Sequence, residues 1–253
     1  MKQFGTYYFF LFALIGGFCS CQKSMIVNTG TIKVTFVNKV KSNPLVLNTQ
    51  TYTNAFNETY TVSRFRYYIS NVALNGPGLS AMEEESYHLV DEALPASKTF
   101  NFESEKNTFS SIEFLIGVDS TRNVSGAQTG ALDPLNDMFW SWNSGYVMAK
   151  MEGNSPQSNQ VGKKIEYHIG GFKGADNAVR LVNLPFPPGK LANIKAGQIS
   201  EIIIEADLDT WWDDTHAIKI AELPICTTPG SKAKDIAENY SNMFKVTNVL
   251  TFK

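Results

Sequence analysis

Tyr60-Thr61-Val62-Ser63-Arg64-Phe65-Arg66-Tyr67-Tyr68-Ile69-Ser70-Asn71-Val72-Ala73-Leu74 is the stretch that decides the fold. Phe65, Tyr67 and Ile69 alternate with Arg64, Arg66 and Tyr68, the period of two expected of a β-strand. Asn75-Gly76-Pro77-Gly78 ends the run as a turn. The same pattern opens the region upstream, where Ile32, Val34 and Phe36 alternate with Lys33 and Thr35 between Thr31 and Asn38. Ser86 to Val90, Thr99 to Phe102 and Ser111 to Val118 read as further short strands. Lys164 to Ile169 sets Ile165, Tyr167 and Ile169 against Glu166 and His168, Ile199 to Leu208 is the most apolar strand, and Val246 to Phe252 is the last. Many short strands separated by Gly, Pro and Asn predict an all-β fold, an antiparallel β-sandwich with long loops. One segment has helical spacing. Lys232 to Phe244 follows Pro229-Gly230-Ser231, with Ser231 placed to act as N-cap and Ile236, Tyr240 and Met243 on one face.

Gly117 to Gly153 breaks the strand pattern: GVDSTRNVSGAQTGALDPLNDMFWSWNSGYVMAKMEG. It starts as a turn-rich loop holding Asp119, Asn123, Gly126, Gly130, Asp133 and Pro134. It ends with Phe139, Trp140, Trp142 and Tyr146, so it carries two of the four tryptophans of the chain. A long aperiodic loop inside a compact domain is usually functional. Asp119, Asn123 and Asp133 are expected to shape it through turn hydrogen bonds.

The N-terminus reads as an export signal. Lys2 precedes an unbroken apolar run from Tyr7 to Ile15, too short to span a bilayer comfortably. Ser20 before Cys21 resembles the lipobox of bacterial lipoproteins, which implies cleavage before Cys21 and lipidation of that residue. The alternative is an ordinary secretory signal with incidental cysteines. Residues 1–20 are thus assigned to the signal, 21–30 to a tether and 31–253 to one domain. About 230 mature residues suit one large β domain. Only Cys226 would keep a free thiol, so the fold must be stable without an internal disulfide. The chain has a formal net charge of −2. It shows no basic patch, which argues against nucleic acid as a partner.

The three histidines are His88, His168 and His216. His88, in Tyr87-His88-Leu89-Val90-Asp91, and His168, in Tyr167-His168-Ile169-Gly170, each alternate against apolar neighbours. Imidazoles from two strands can converge on copper, zinc or iron if the strands are close. The competing reading is two unrelated hydrogen-bonded side chains. His216 follows Asp207-Leu208-Asp209-Thr210-Trp211-Trp212-Asp213-Asp214-Thr215, which reads as a solvated strand-end loop or, less directly, a calcium or sugar-contact loop. Trp140 and Trp142 share a face if their segment is a strand. With Trp211 and Trp212 they could form a sugar platform. Gly-x-Ser-x-Gly, His-Glu-x-x-His and the phosphate-binding Gly-x-x-x-x-Gly-Lys-Ser/Thr are all absent, so a catalyst is not expected.

Taken in order, Arg66 to Leu74, Tyr87 to Asp91, Gly117-Val118-Asp119-Ser120, the block from Gly130 to Gly153 and Tyr167-His168-Ile169-Gly170 resemble the MbnP-like family of periplasmic copper-binding proteins. The resemblance spans about Thr31 to Val246. Met138-Phe139-Trp140-Ser141-Trp142-Asn143-Ser144-Gly145-Tyr146 is its most specific part. The resemblance implies an exported β-rich protein whose partner, a di-haem, cytochrome-peroxidase-like oxidase, converts a tryptophan to kynurenine. With histidines, kynurenine then forms a mononuclear copper site. Carried to this chain, His168 is the first-choice ligand, His88 a weaker candidate, and Trp142 and Trp140 match the family's Trp-x-Trp pair. The expected product is a copper-binding lipoprotein held in the cell envelope by its anchor, on the periplasmic face of the outer membrane. The alternative is a glycan-binding or structural accessory lipoprotein.

Overall fold

The computed structural model describes residues 29–126, 128–141 and 145–252. The segment expected to be an export signal, Cys21 and Trp142 lie outside the described residues. Ten strands carry the architecture: β1 (Thr29–Val40), β2 (Thr59–Gly76), β3 (Tyr87–Asp91), β4 (Thr99–Glu105), β5 (Ser111–Ile116), β6 (Gly145–Asn154), β7 (Lys164–Gly170), β8 (Arg180–Pro185), β9 (Ile199–Asp207) and β10 (Phe244–Phe252). Two α-helices join them, α1 (Ser120–Asn123) and α2 (Ser231–Tyr240). β1 begins two residues inside the expected tether.

The strands form a sandwich of two sheets. The smaller runs β10-β9-β1, with β4 on the far edge of β1. The larger runs β8-β5-β2-β6-β7, with β3 on the other edge of β2. The all-β sandwich expected from the sequence is thus present, but it is not wholly antiparallel. β1 pairs with β9 in parallel from Thr31↔Ile199 to Lys39↔Asp207. Parallel neighbours need a long crossover, and here the intervening chain builds the large sheet.

Burial alternates strictly along β1, and Ile32, Val34 and Phe36 face the core as the pattern predicts. Aromatic rings join the sheets. Phe36 meets Tyr67 and Phe114 edge-on with centroids 6.0 Å away, and Phe244 meets Phe114 at 5.2 Å. Such edge-to-face pairs favour the ring quadrupoles and fill space between sheets. Along β2 the alternation fails after Phe65, because Tyr67, Tyr68, Ile69 and Ser70 are all buried. The inner face of β2 meets the small sheet, and its outer face lies under the stretch from Ala131 to Asn136.

α2 is shorter than its spacing predicts. Gly230 occupies the N-cap without a side-chain hydrogen bond, and Ser231 lies inside the first turn. The helix stops at Tyr240 because Phe244 is drawn into β10, paired with Ala206. Ile236 and Tyr240 are buried on one face as expected, with the Tyr240 hydroxyl donating to the Ala178 carbonyl at 2.8 Å.

Candidate metal centre

The long segment is folded down by specific hydrogen bonds. Asp119 caps α1 by accepting from the amides of Thr121 (2.9 Å) and Arg122 (3.1 Å). Asn123 is buried at the end of α1. Its amide donates to the carbonyls of Val118 and Asp119, and its Oδ1 accepts from the Tyr146 amide at 2.9 Å, tying the loop to β6. Asp133 accepts from the Leu135 amide at 2.9 Å. All three residues therefore shape the loop as their types predict.

The outer face of the large sheet supplies the rest of the grip. Tyr68 donates to the Ala131 carbonyl (3.0 Å), Tyr146 to the Leu132 carbonyl (2.7 Å) and Arg66 to the Asn136 carbonyl (3.0 Å). Lys150, almost fully buried in β6, donates to the Asp137 carbonyl and lies 3.0 Å from its carboxylate. Each loop carbonyl thus buried finds a donor, which removes most of the cost of covering a sheet with irregular chain.

His168 emerges on this outer face. Strand register places it beside Lys150, which sits beside Arg66, which sits beside Asp91. Nε2 of His168 is 2.8 Å from Oε1 of Glu152, and Arg64 approaches the other Glu152 oxygen at 3.6 Å. The His168 hydrogen bond, and then Arg64 and Lys150, hold the Glu152 carboxyl below its usual range against the opposing effect of burial. An ionised carboxylate only accepts, so Nε2 carries the proton. In the neutral ring Nδ1 keeps its lone pair.

Trp140 lies on the same face. It pairs with Gly145 in a short strand, Phe139–Trp140, and is nearly buried. Its six-membered ring rests on Gly170, two residues from His168 along β7. A β-carbon at Gly170 would stand 2.3 Å from Cζ3 of Trp140. Only glycine admits the ring there, which accounts for the glycine of Tyr-His-Ile-Gly. Side chains two apart on a strand share a face, so the indole packs on the face of β7 that also presents the imidazole.

His88 does not join them. It pairs with Ile69, three residues along β2 from Arg66, and so lies on the opposite face of the large sheet. Its ring stacks on Phe100 of β4 with centroids 3.5 Å apart, and Nε2 meets Glu83 at 2.8 Å. The alternation of His88 against Tyr87 and Leu89 is real. Those two neighbours face the loop, however, so His88 turns toward the small sheet.

The sugar-platform arrangement is not formed by the described indoles. Trp211 and Trp212 are both buried. Trp212 packs on Tyr60 at 4.9 Å and Tyr167 at 5.5 Å, and Trp211 on Phe65 at 5.8 Å. The acidic stretch around them is therefore anchored in the core rather than a solvated loop. Cys226 is buried, and burial pushes its thiol up to about 11, as suits a packed side chain rather than a nucleophile. Sequence reasoning did not single out Lys150 or Glu152. A lysine amid Met148, Ala149 and Met151 is the one signal that could have pointed to a covered polar face.

A β-sandwich with one outer face partly covered by a loop, and an indole and an imidazole on that same face of the sheet, is the class these features define. Residues 29–228 match the MbnP family model, and the chain belongs to the MbnP family. Among solved structures, MbnP from Methylosinus trichosporium matches with a TM-score of 0.50 over 76% of this chain and 80% of that chain, at 15% identity. At that identity the likeness speaks for the fold. No curated protein matches.

Proposed function

We propose that this protein binds copper on the outer face of the large sheet, for acquisition, storage or delivery, and is not itself a catalyst. The observation that carries this reading is the Trp140 ring seated on Gly170, on the face of β7 that also presents His168. The donor chemistry fits copper once one indole is opened. His168 offers Nδ1, because Glu152 holds the proton on Nε2. An intact indole is a poor ligand, since its nitrogen lone pair belongs to the aromatic system. A di-haem, cytochrome-peroxidase-like partner would open it with two equivalents of hydrogen peroxide. The C2–C3 bond breaks, two oxygen atoms enter, and two waters form from the peroxide. Hydrolysis then releases C2 as formate and leaves kynurenine, with an aniline nitrogen and a ketone. Nitrogen donors suit copper, which tops the divalent affinity series. Trp140 is the described candidate for opening, and Trp142 is the other. His88 faces away and is left out of the site. Glu152, Arg64, Lys150 and Asp137 fix the imidazole and the loop around it. Lipidation at Cys21 would hold the domain at the periplasmic face of the outer membrane.

The test is expression of the full chain with and without a partner of the di-haem class, followed by intact mass, peptide mass and copper content. The expected result is a kynurenine mass shift on the peptide holding Trp140 and Trp142, with copper that His168→Ala removes. Unmodified tryptophan and no copper after partner treatment would sink the reading. Separately, Cys21→Ser should move the protein from the membrane fraction to the soluble one.

A further inference from the structure

We propose that His216, Asp235 and Glu238 form a second metal site, built for a divalent cation of borderline hardness such as Zn2+. The three side chains come from two elements. His216 lies in the loop after the 3-10 turn Leu208–Trp211, and Asp235 and Glu238 lie on α2. Their spacing of three puts both carboxylates on one helix face. Nε2 of His216 is 2.6 Å from Oε2 of Glu238, and Nδ1 is 3.9 Å from Oδ1 of Asp235. One ligand atom from each residue can be chosen so that all lie within 4.8 Å of one another. Ligands around a tetrahedral zinc ion stand roughly 3.4 Å apart, so small side-chain rotations close the set.

The two backbones are already joined. Asn239, the residue after Glu238, is fully buried. Its Oδ1 accepts from the His216 amide at 2.8 Å, and its Nδ2 donates to the carbonyls of His216 (2.7 Å) and Trp211 (3.1 Å). Trp211 and Trp212 hold the loop to the core from its other end. The ordering cost of binding is then confined to three side chains.

The donor set selects the ion. Magnesium and calcium take oxygen ligands, whereas an imidazole beside two carboxylates suits zinc and its neighbours. Three protein ligands leave a fourth position for water. The carboxylates also meet cations: Asp235 meets Lys232 (3.3 Å), and Glu238 meets Lys234 (3.5 Å) and Arg180 (3.5 Å). Both lysines are exposed and can swing into water as a cation enters. The site shares no residue with the His168 face and stands independently of the copper reading.

The full chain, stripped of metal by chelator, is titrated with Zn2+ by calorimetry and with Co2+ by visible d–d absorption. Zinc uptake is expected to weaken about tenfold or more in His216→Ala and in Glu238→Gln, the scale on which even outer partners of a metal site act. Glu238→Gln keeps the size of the side chain and its contact with His216, so a loss there is not a folding effect. His88→Ala, a control imidazole, should leave uptake unchanged. No uptake by the wild type, or uptake that His216→Ala and Glu238→Gln leave unaltered, overturns the proposal.

Discussion

His88 and His168 sit on one sheet, equally half-buried, each with Nε2 2.8 Å from a glutamate. By residue type, exposure and partner they are twins. What lies over the ring separates them. His88 faces the small sheet, and Phe100 covers it flat. His168 faces the loop, beside a glycine that makes room for an indole. The inner face of the large sheet is a place for packing, and its filling is aromatic. The outer face is held by directed bonds: tyrosines, an arginine and a buried lysine grip carbonyls of the loop. A binding site can be tuned on the second kind of surface, because its occupants are placed by hydrogen bonds rather than by tight mutual contact.

The sharpest way to break this comparison is to damage each face and ask what is lost. On the inner side Phe36 touches Tyr67, Phe100, Phe114 and Phe244. Phe36→Ala should cost about 3–5 kcal/mol of unfolding free energy, read from urea denaturation followed by tryptophan fluorescence. The molecules that remain folded should keep the outer site, so metal binding per folded molecule should not change. A loss under about 1 kcal/mol would mean that the sheets are held together elsewhere.

On the outer side the matching change is Gly170→Ala. One methyl group there collides with the Trp140 ring, and overpacking of this kind costs about 1–3 kcal/mol. The loss should be smaller than for Phe36→Ala, yet the local effect should be larger. Trp140 must leave its seat, so near-ultraviolet circular dichroism should change while the far-ultraviolet spectrum stays. Partner-dependent oxidation of Trp140 should fall with it. An unaltered near-ultraviolet spectrum would show that the ring does not rest on this glycine.

The same contrast explains what could be read from the sequence. β1 has one face toward the core and one less covered, so its alternation located both the strand and its inward residues. β6 is buried on almost every residue. With both faces covered it shows no alternation, and Gly145 to Asn154 read as the end of a loop. His88 failed for a related reason: period two tells which side chains oppose one another, not which side is the interior. Trp211 and Trp212 were misjudged because four acids around them outweighed two adjacent indoles in the reading of the loop. His168 was picked out because Tyr-His-Ile-Gly is a compact local motif. Its partner Glu152 was not, because their meeting depends on the register of β6 against β7, which no local pattern carries.

The smallest effect concerns that partner. The folded pKa of Glu152 is depressed, first by the His168 hydrogen bond and then by Arg64. The sign follows from linkage. A carboxyl whose folded pKa lies below its unfolded value, about 4.3 for glutamate, contributes stability that is fully present above that value. The contribution is lost as pH falls through the folded pKa. Glu152→Gln should therefore lower stability modestly at neutral pH, where one half-exposed pair is lost, and flatten part of the decline on the acid side, so that the two proteins converge as pH falls. Urea midpoints of both proteins measured across the carboxylate range would show it. The same substitution also frees His168, since an amide can accept from Nε2 or donate to it and no longer dictates which nitrogen holds the proton. If the outer face is tuned by directed bonds, copper affinity should fall in Glu152→Gln even where stability does not. The equivalent change beside the other imidazole, Glu83→Gln, should leave it untouched. Equal losses from the two substitutions would mean that the histidines differ less than their surroundings suggest.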